Sequence, residues 1–134
     1  HARLGETVKE LNERYGEPVE RSEKHLTYRL HDFYISITLG DRDWGRVAVG
    51  LVYHKFDKDG DIQKIKSYEV KKLLDANFGR GNWKKQKSND ANLHVYDTKG
   101  ALAVHDETRK YLSIGDDKHS INSIEEDMDK MNDF

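Results

Sequence analysis

Three aspartates at alternate positions carry the spacing in this chain that most directly suggests chemistry. The stretch FDKDGDIQKI, residues 56–65, sets Asp57, Asp59 and Asp61 at the first, third and fifth positions of a calcium loop. Such a loop also needs glycine at its sixth position and glutamate at its twelfth, where this chain has Ile62 and Tyr68. Since Asp-Gly favours a turn, we interpret the stretch as a turn and expect no cofactor, keeping the three aspartates as candidate metal ligands.

Seven histidines in 134 residues raise the possibility of zinc binding or proton transfer. The histidine spacing gives neither H-x-x-x-H nor H-E-x-x-H, and G-x-S-x-G is also absent from the sequence. With no cysteine, a thiol nucleophile, a disulfide and a thiolate zinc site are all excluded. We therefore expect a protein that is not an enzyme. Histidines converging on one sheet face stay an alternative zinc site, although surface histidines are the favoured interpretation.

Charge and hydropathy limit the partners. The formal net charge is −2 with both signs interleaved, so we expect no nucleic-acid binding. The basic residues concentrate only at Arg80, Lys84, Lys85 and Lys87, which fits a solvated strand edge. No apolar run approaches the roughly 18 residues of a membrane span, so no integral membrane segment is expected. The length suits a single compact domain over 1–134.

The first half of the chain has the pattern of one helix followed by three strands. Thr7 and Glu10 have the spacing of a capping box, and Gly16 with Pro18 predicts the helix end. Strands are predicted at 26–31, 33–39 and 46–53 from alternating hydrophobicity. The predicted core positions of the second and third strands are Phe33, Ile35, Ile37, Leu39, Val47, Val49, Leu51 and Tyr53.

The second half repeats the order. A helix is predicted over 67–79 with Ser67 as its cap, followed by strands at 93–97, 101–105 and 110–115. A third helix is predicted over 120–131, with Ser123 and Glu126 as a capping box. Its apolar stripe consists of Ile121, Ile124, Met128 and Met131, and packing on the body is favoured over contact with a partner.

These elements predict an α+β fold of tandem α-β-β-β units, an antiparallel sheet with helices on one face, and a C-terminal helix. The predicted segments are a first unit at 4–56, a connector at 57–66, a second unit at 67–115 and a C-terminal helix or tail at 116–134. The sheet face away from the helices would then carry tyrosine, histidine and small residues, which suit protein recognition because they bury area at little entropic cost. The predicted partner-binding residues are Tyr34, Trp44, His54, His94, Tyr96, His105 and Tyr111.

The opening pattern Gly5-x-Thr7-x-x-x-Leu11-x-x-x-x-Gly16-x-Pro18 resembles the first helix of exported bacterial domains with the β-lactamase-inhibitor-protein-like fold. That group includes the outer-membrane assembly lipoproteins of the SmpA/OmlA type. The tandem order extends the similarity over residues 4–115. The resemblance implies a non-catalytic exported module that binds another protein through an exposed sheet face or loops.

The chain begins at His1 without an initiator methionine, so an upstream segment is expected to have been removed, either a cleaved export signal or a stretch trimmed from the sequence. Together with the resemblance, this predicts a periplasmic or secreted location with the signal peptide removed. The leading functional hypothesis is therefore a protein-interaction module with a protein partner. The alternative is a periplasmic protein that binds a small ligand or a metal, calcium or zinc, through the sheet-face histidines or the 57–61 loop.

Overall fold

The computed structural model describes residues 4–78 and 82–119 of the chain. Two helices are present, α1 at Val8–Tyr15 and α2 at Ser67–Phe78, and residues 117–119 form a helical turn after the last strand. The strands are β1 Glu20–Arg21, β2 His25–Leu30, β3 Phe33–Arg42, β4 Gly45–Phe56, β5 Ile62–Gln63, β6 Lys84–Lys85, β7 Leu93–Thr98, β8 Ala101–Asp106 and β9 Tyr111–Asp116.

The ends of α1 confirm the predicted caps. The Thr7 hydroxyl accepts a hydrogen bond from the Glu10 N–H at 3.3 Å, and the Glu10 carboxylate accepts from the Thr7 N–H at 3.1 Å. These reciprocal bonds satisfy two N–H groups that the first helical turn leaves without partners. Gly16 adopts φ 83, and its N–H donates to the Asn12 carbonyl. A residue without a Cβ takes that left-handed conformation without strain, so the helix ends there.

The start of α2 differs from the prediction, because the cap is Lys66 and not Ser67. The Lys66 carbonyl accepts the first helical bond, from the Val70 N–H at 3.0 Å, and the Glu69 carboxylate accepts from the Lys66 N–H at 3.0 Å. Glu69 also pairs with Lys55 of β4 at 3.0 Å. Burial opposes ionisation of Glu69, but these hydrogen bonds outweigh it and lower the pKa of its carboxyl. Glu69 therefore both caps α2 and ties the helix to the sheet.

All nine strands belong to one antiparallel sheet with the order β1-β2-β3-β4-β9-β8-β7-β6, and β5 pairs with the end of β4. Each helix is followed by a two-residue edge strand, β1 or β6, and then by three longer strands. The two sets of strands meet at the β4–β9 pair, so the sheet runs continuously through the molecule. The α+β class and the antiparallel sheet are confirmed, whereas the sequence did not predict β1, β5 and β6.

The core lies between the two helices and one face of this sheet. Leu11 of α1 and Val70 and Leu74 of α2 pack against alternating residues of the long strands. The buried cluster comprises Leu4, Leu11, Leu26, Tyr28, Ile35, Ile37, Leu39, Ala48, Leu51, Tyr53, Ile65, Val70, Leu74, Ala101, Ala103, Leu112 and Ile114. We call this side of the sheet the helix face and the opposite side the outer face.

A β-bulge reverses part of the predicted facing in β4. Thr38 pairs with Gly50 and the next residue, Leu39, pairs with Ala48, so Val49 is an extra residue in β4. A Cβ atom on Gly40 would lie 2.9 Å from Val49 Cγ1, which places the Val49 side chain on the outer face. The prediction that Val47 and Val49 point into the core is therefore wrong. Ala48, which joins the core cluster, takes that position.

The β7–β8 hairpin also faces the opposite way from the prediction. Ala101 and Ala103 are fully buried in the core, and His105 follows them on the same face. The register pairs Tyr96 with Ala103 and His94 with His105, so both partners lie on the helix face as well. Small alanine side chains leave room for α2 above this part of the sheet. Leu93, Val95, Leu102 and Val104 consequently lie on the outer face.

The predicted C-terminal helix over 120–131 lies outside the described residues. The helical turn at 117–119 was not predicted, and its cap is Asp116, whose carboxylate accepts from the His119 N–H at 2.7 Å. The predicted capping pair Ser123 and Glu126 also lies outside the described residues.

Candidate binding surface

The outer face contains one cross-strand row in which four strands meet side by side. Arg29 pairs with Tyr34, Tyr34 with His54, and His54 with Tyr111. These residues come from β2, β3, β4 and β9, so both halves of the chain contribute. Directly opposed residues in antiparallel strands stand about 5 Å apart, which is close enough for their side chains to contact. Tyr34, His54 and Tyr111 therefore lie together on the outer face, as predicted.

The rings of this row pack on Phe56, which lies two residues beyond His54 on the same strand. Tyr34 meets Phe56 edge-on with ring centroids 5.2 Å apart, and the His54 ring lies 6.4 Å from Phe56 and 6.2 Å from Tyr111. We call Tyr34, His54, Phe56 and Tyr111 the aromatic patch. All four side chains are half-buried, so their mutual contacts hold the rings in place while part of each remains accessible.

Electrostatics around the aromatic patch favour a neutral imidazole with a cation beside it. Burial lowers the pKa of His54, because the charged ring would lose hydration there. The Arg29 guanidinium lies 5.7 Å from the centroid of the Tyr34 ring, within cation–π range. The patch therefore presents aromatic ring surfaces with the Arg29 guanidinium at the Tyr34 side.

A groove of 720 Å³ runs beside the aromatic patch. Its floor is formed by outer-face residues, including Tyr34, Ser36, His54 and Phe56. Arg29, the β2–β3 turn and the loop after β4 also line the groove. The lining residues are Arg29, His31, Asp32, Tyr34, Ser36, His54, Phe56, Asp57, Lys58 and Gly60. The groove and the patch form one surface that is open to solvent.

The loop of the three aspartates forms the wall of this groove by folding on itself. One oxygen of Asp57 accepts from the N–H groups of Asp59 and Asp61, each at 2.9 Å, and the other accepts from the Gln63 amide at 3.1 Å. The Asp57 carboxylate therefore stabilises the turn itself. Within residues 4–78 and 82–119, no group of three histidine, aspartate or glutamate side chains is placed to hold a metal ion.

His94, Tyr96 and His105 were predicted on the outer face, and that placement is wrong. His105 is buried, its ring stacks on His94 with centroids 5.4 Å apart, and His94 Nε2 lies 2.8 Å from a Glu107 oxygen. Burial, with the neighbouring His94, lowers the pKa of His105. Tyr96 packs against the core cluster beside Trp83. These three residues support the helix face and do not extend the aromatic patch.

Trp44 lies at the tip of the β3–β4 hairpin and is 68% exposed. Tyr34 lies near the start of β3 and Trp44 lies just beyond its end at Arg42, a span of roughly 30 Å in an extended strand. Trp44 is therefore accessible, but it lies at a different end of the molecule from the aromatic patch. A single small partner would not reach both.

Two contributors to the surface were not among the predicted site residues. Phe56 follows the predicted end of the third strand, yet it continues the alternation of Val52 and His54 on the outer face. Arg29 is brought beside Tyr34 by strand pairing, which the sequence does not specify residue by residue. The period-2 pattern could have identified Phe56 had the strand been extended to its observed end.

The remaining predictions about partners concern regions away from the patch. Lys84, Lys85 and Lys87 are exposed at the β6 edge, whereas Arg80 lies outside the described residues. In the described part of the chain no helix is long and apolar enough to cross a membrane. A scan against family models finds no match for this chain, and neither curated proteins nor solved structures give one.

Proposed function

We propose that this chain is a non-catalytic protein-interaction module that binds a partner protein through the aromatic patch and its groove. The observation that supports this proposal is the packing of Tyr34, His54, Phe56 and Tyr111 on an open face, with Arg29 at the border. Tyrosine and arginine dominate the energetics of protein interfaces because they bury large areas with few rotatable bonds. The rings are already ordered by their contacts, so binding costs little additional entropy.

The sheet beneath the aromatic patch adds to its suitability. The row joins β3 and β4 to β9, which are the long central strands, and central strands deform less than edges or loops. A partner would therefore meet a surface whose shape is fixed before contact. The proposal includes the exported location and the resemblance to tandem β-lactamase-inhibitor-protein-like domains, in which a sheet face also carries the binding role.

Site-specific photo-cross-linking tests the location of the partner. A photoreactive benzoylphenylalanine at position 36, in the groove, is expected to cross-link a partner protein in cells that produce the full chain. The same group at Glu13, an exposed residue of α1, serves as the control. Equal cross-linking from both positions, or none from position 36 with capture from position 13, would contradict the proposal.

Substitutions then test the chemistry of recognition. The double variant Tyr34→Ala/Tyr111→Ala removes two rings of the patch, and Tyr68→Ala removes an exposed ring from α2 as a matched control. We expect the position-36 cross-link to be lost only in the double variant. Circular dichroism of all three proteins establishes that each one is folded. Retention of the cross-link in the double variant would rule out recognition by the tyrosines.

The groove volume supports a second candidate, a small-ligand-binding protein, since 720 Å³ lies within the range of small-molecule sites. Native mass spectrometry of the purified chain separates the two functions. A bound small molecule lost on Tyr34→Ala/Tyr111→Ala would favour the ligand. Calorimetric titration with calcium and zinc tests metal binding as the alternative function. Metal binding requires that heat is released or absorbed at micromolar metal concentrations.

A further inference from the structure

The outer face is not uniformly open, because a region near the β4 bulge is buried. Val47 and Val49 are 1% and 3% exposed although their side chains lie on the outer face. Gly50 and Gly115, which pair across β4 and β9, are buried on the same face. This region lies at the opposite end of β9 from Tyr111, so it is distinct from the aromatic patch.

The chain itself begins to cover this region after β9. A Cβ atom on Gly50 would lie 2.7 Å from His119 Nε2, so the imidazole occupies the space that a side chain at position 50 would need. The turn that places His119 there is capped by Asp116, and Arg42 holds Asp116 with bonds of 2.9 and 2.8 Å. The chain therefore leaves the sheet in a helical conformation and passes onto the outer face.

The glycine pair has an apolar residue beside Gly115 on β8 and another before Gly50 on β4, while the residue opposite Gly50 on β3 is Thr38. Leu102 of β8 pairs with Gly115, and Val49 precedes Gly50 at the bulge. Val104 lies one row further along β8 on the same face. We call the strip formed by Val49, Gly50, Gly115 and Leu102 the glycine trough. Because neither glycine has a side chain, His119 can lie directly over Gly50, and a helix that continues from this turn starts close to the sheet, where its own apolar side chains can contact the flanking Val49 and Leu102.

The sequence after His119 has the pattern of such a helix. Ile121, Ile124 and Met128 recur at intervals of three and four, which places them on one side of a helix. Glu126 lies opposite them at 100° per residue. Twelve helical residues extend about 18 Å, which is enough to cross about four strands.

We propose that residues 120–131 continue the helical turn at 117–119 and pack their apolar stripe into the glycine trough. The occupant of this outer-face surface is then the chain's own C-terminal segment. It leaves the aromatic patch open, so this inference does not rest on the proposed function. Each of the two proposals can therefore be refuted without affecting the other.

Paramagnetic relaxation measures the contact directly in the full chain. The sequence has no cysteine, so Glu126→Cys gives a single attachment point for a nitroxide on the side away from the stripe. We expect the nitroxide to weaken the amide signals of Leu102 and Val104, while those of Leu11 and Val70 on the helix face keep their intensity. Unchanged signals at Leu102 and Val104, or losses on the helix face, would overturn the proposal.

A mixed sample distinguishes the chain's own segment from a second copy. Nitroxide-bearing protein without ¹⁵N is combined with ¹⁵N-labelled protein without nitroxide. Weakening of the Leu102 signal in this mixture would show that the segment of another molecule occupies the trough, which also contradicts the proposal. An unchanged Leu102 signal in the mixture, with weakening in the singly labelled protein, supports it.

Hydrogen exchange supplies a test by substitution. Leu102→Asp places a charge at the edge of the trough, and Ser36→Asp is the matched control on the outer face of β3. We expect amide exchange in residues 121–131 to accelerate at least about tenfold in Leu102→Asp, because the charge replaces an apolar contact between Leu102 and the segment. Equal exchange in the wild type and in Leu102→Asp would refute the docking.

Discussion

The salt bridge between Arg42 and Asp116 connects the β3–β4 hairpin to the end of β9, and its removal is the most direct test of how the two halves are held together. Arg42 Nε donates to one oxygen of Asp116 at 2.9 Å, and Nη2 donates to the other at 2.8 Å. The same acid caps the helical turn at 117–119. Arg42→Ala would leave Asp116 with a charge that its surroundings no longer neutralise.

The expected magnitude follows from geometry and exposure. Each hydrogen bond to a charged group contributes about 1.5–3 kcal/mol, but two bonds in one pair are not additive. The side chains of Arg42 and Asp116 are 12% and 24% exposed, so solvent screens the pair only in part. We therefore expect Arg42→Ala to lower the free energy of unfolding by about 2–3 kcal/mol. That is roughly a 30- to 150-fold change in the unfolding equilibrium.

Arg46→Ala is the matched control because Arg46 lies in the same hairpin and also faces an acid. Its closest approach to Asp41 is 3.4 Å, and the two side chains are 39% and 82% exposed. A solvent-exposed pair of this kind contributes about 0–1 kcal/mol. Urea denaturation followed by far-ultraviolet circular dichroism gives both values from the midpoint at unchanged slope. Equal losses in the two variants would refute the reasoning from burial.

Three further predictions concern the polar contacts of the helix face. Asn77→Ala removes a buried amide that donates to the Tyr53 hydroxyl at 3.1 Å and to the Leu73 carbonyl at 2.9 Å. Urea unfolding should show that Asn77→Ala lowers the free energy of unfolding by about 2–3 kcal/mol. Asn12→Ala removes one half-buried hydrogen-bond acceptor and should lower it by about 1 kcal/mol. A smaller loss for Asn77→Ala than for Asn12→Ala would contradict this expectation. Thr7→Ala should lower the free energy of unfolding by about 1 kcal/mol, and Thr7→Ser should lower it much less because serine keeps the capping hydroxyl. Similar losses for the two variants would show that the hydroxyl cap contributes little. Because burial lowers the pKa of His105 in the folded protein, the unfolded chain binds its proton more readily, so stability should decrease as pH falls through about 6.5. In His105→Gln the urea midpoint should change less between pH 8 and pH 5 than in the wild type, and identical profiles would show that His105 is not responsible.

The sequence predicted the elements that depend on local chemistry. Thr7 and Glu10 bond backbone N–H groups at the start of α1, and Gly16 ends the helix through its backbone conformation. The structure confirms all three. Alternation in β3 predicted the facing of Ile35 and Ile37, because the segment contains no irregularity before Thr38. Local rules were sufficient for α1 and for this part of β3, where the deciding groups lie within a few residues of one another.

The prediction of which side chains face the core was wrong where contacts distant in the sequence determine the facing. The segment VAVGLVY alternates without interruption, so nothing in the sequence indicates that Val49 is an extra residue opposite β3. In β7 and β8 the leucines and valines were predicted to face the core, but the structure puts Ala101 and Ala103 there. The helix requires small residues beneath it, and that requirement comes from tertiary packing. Of the candidate site residues, Tyr34, His54 and Tyr111 were consequently predicted on the correct face of the sheet, whereas His94, Tyr96 and His105 were predicted on the wrong face.

The reversed hairpin explains why the two halves of the outer face differ in character. The first unit presents Tyr34, Ser36 and His54 there, which are polar or amphipathic, and this is the open end with the groove. The second presents Leu102, Val104 and Val95, whose exposure to water would be unfavourable. The two ends of the continuous sheet therefore carry different side chains on the outer face. At one end Tyr34, His54 and Tyr111 form a row drawn from both units, and at the other end Gly50, Gly115 and Leu102 form a row drawn from both units, with His119 over Gly50. The position of a residue along the paired strands, and not the unit that it comes from, therefore decides which of the two surfaces it joins.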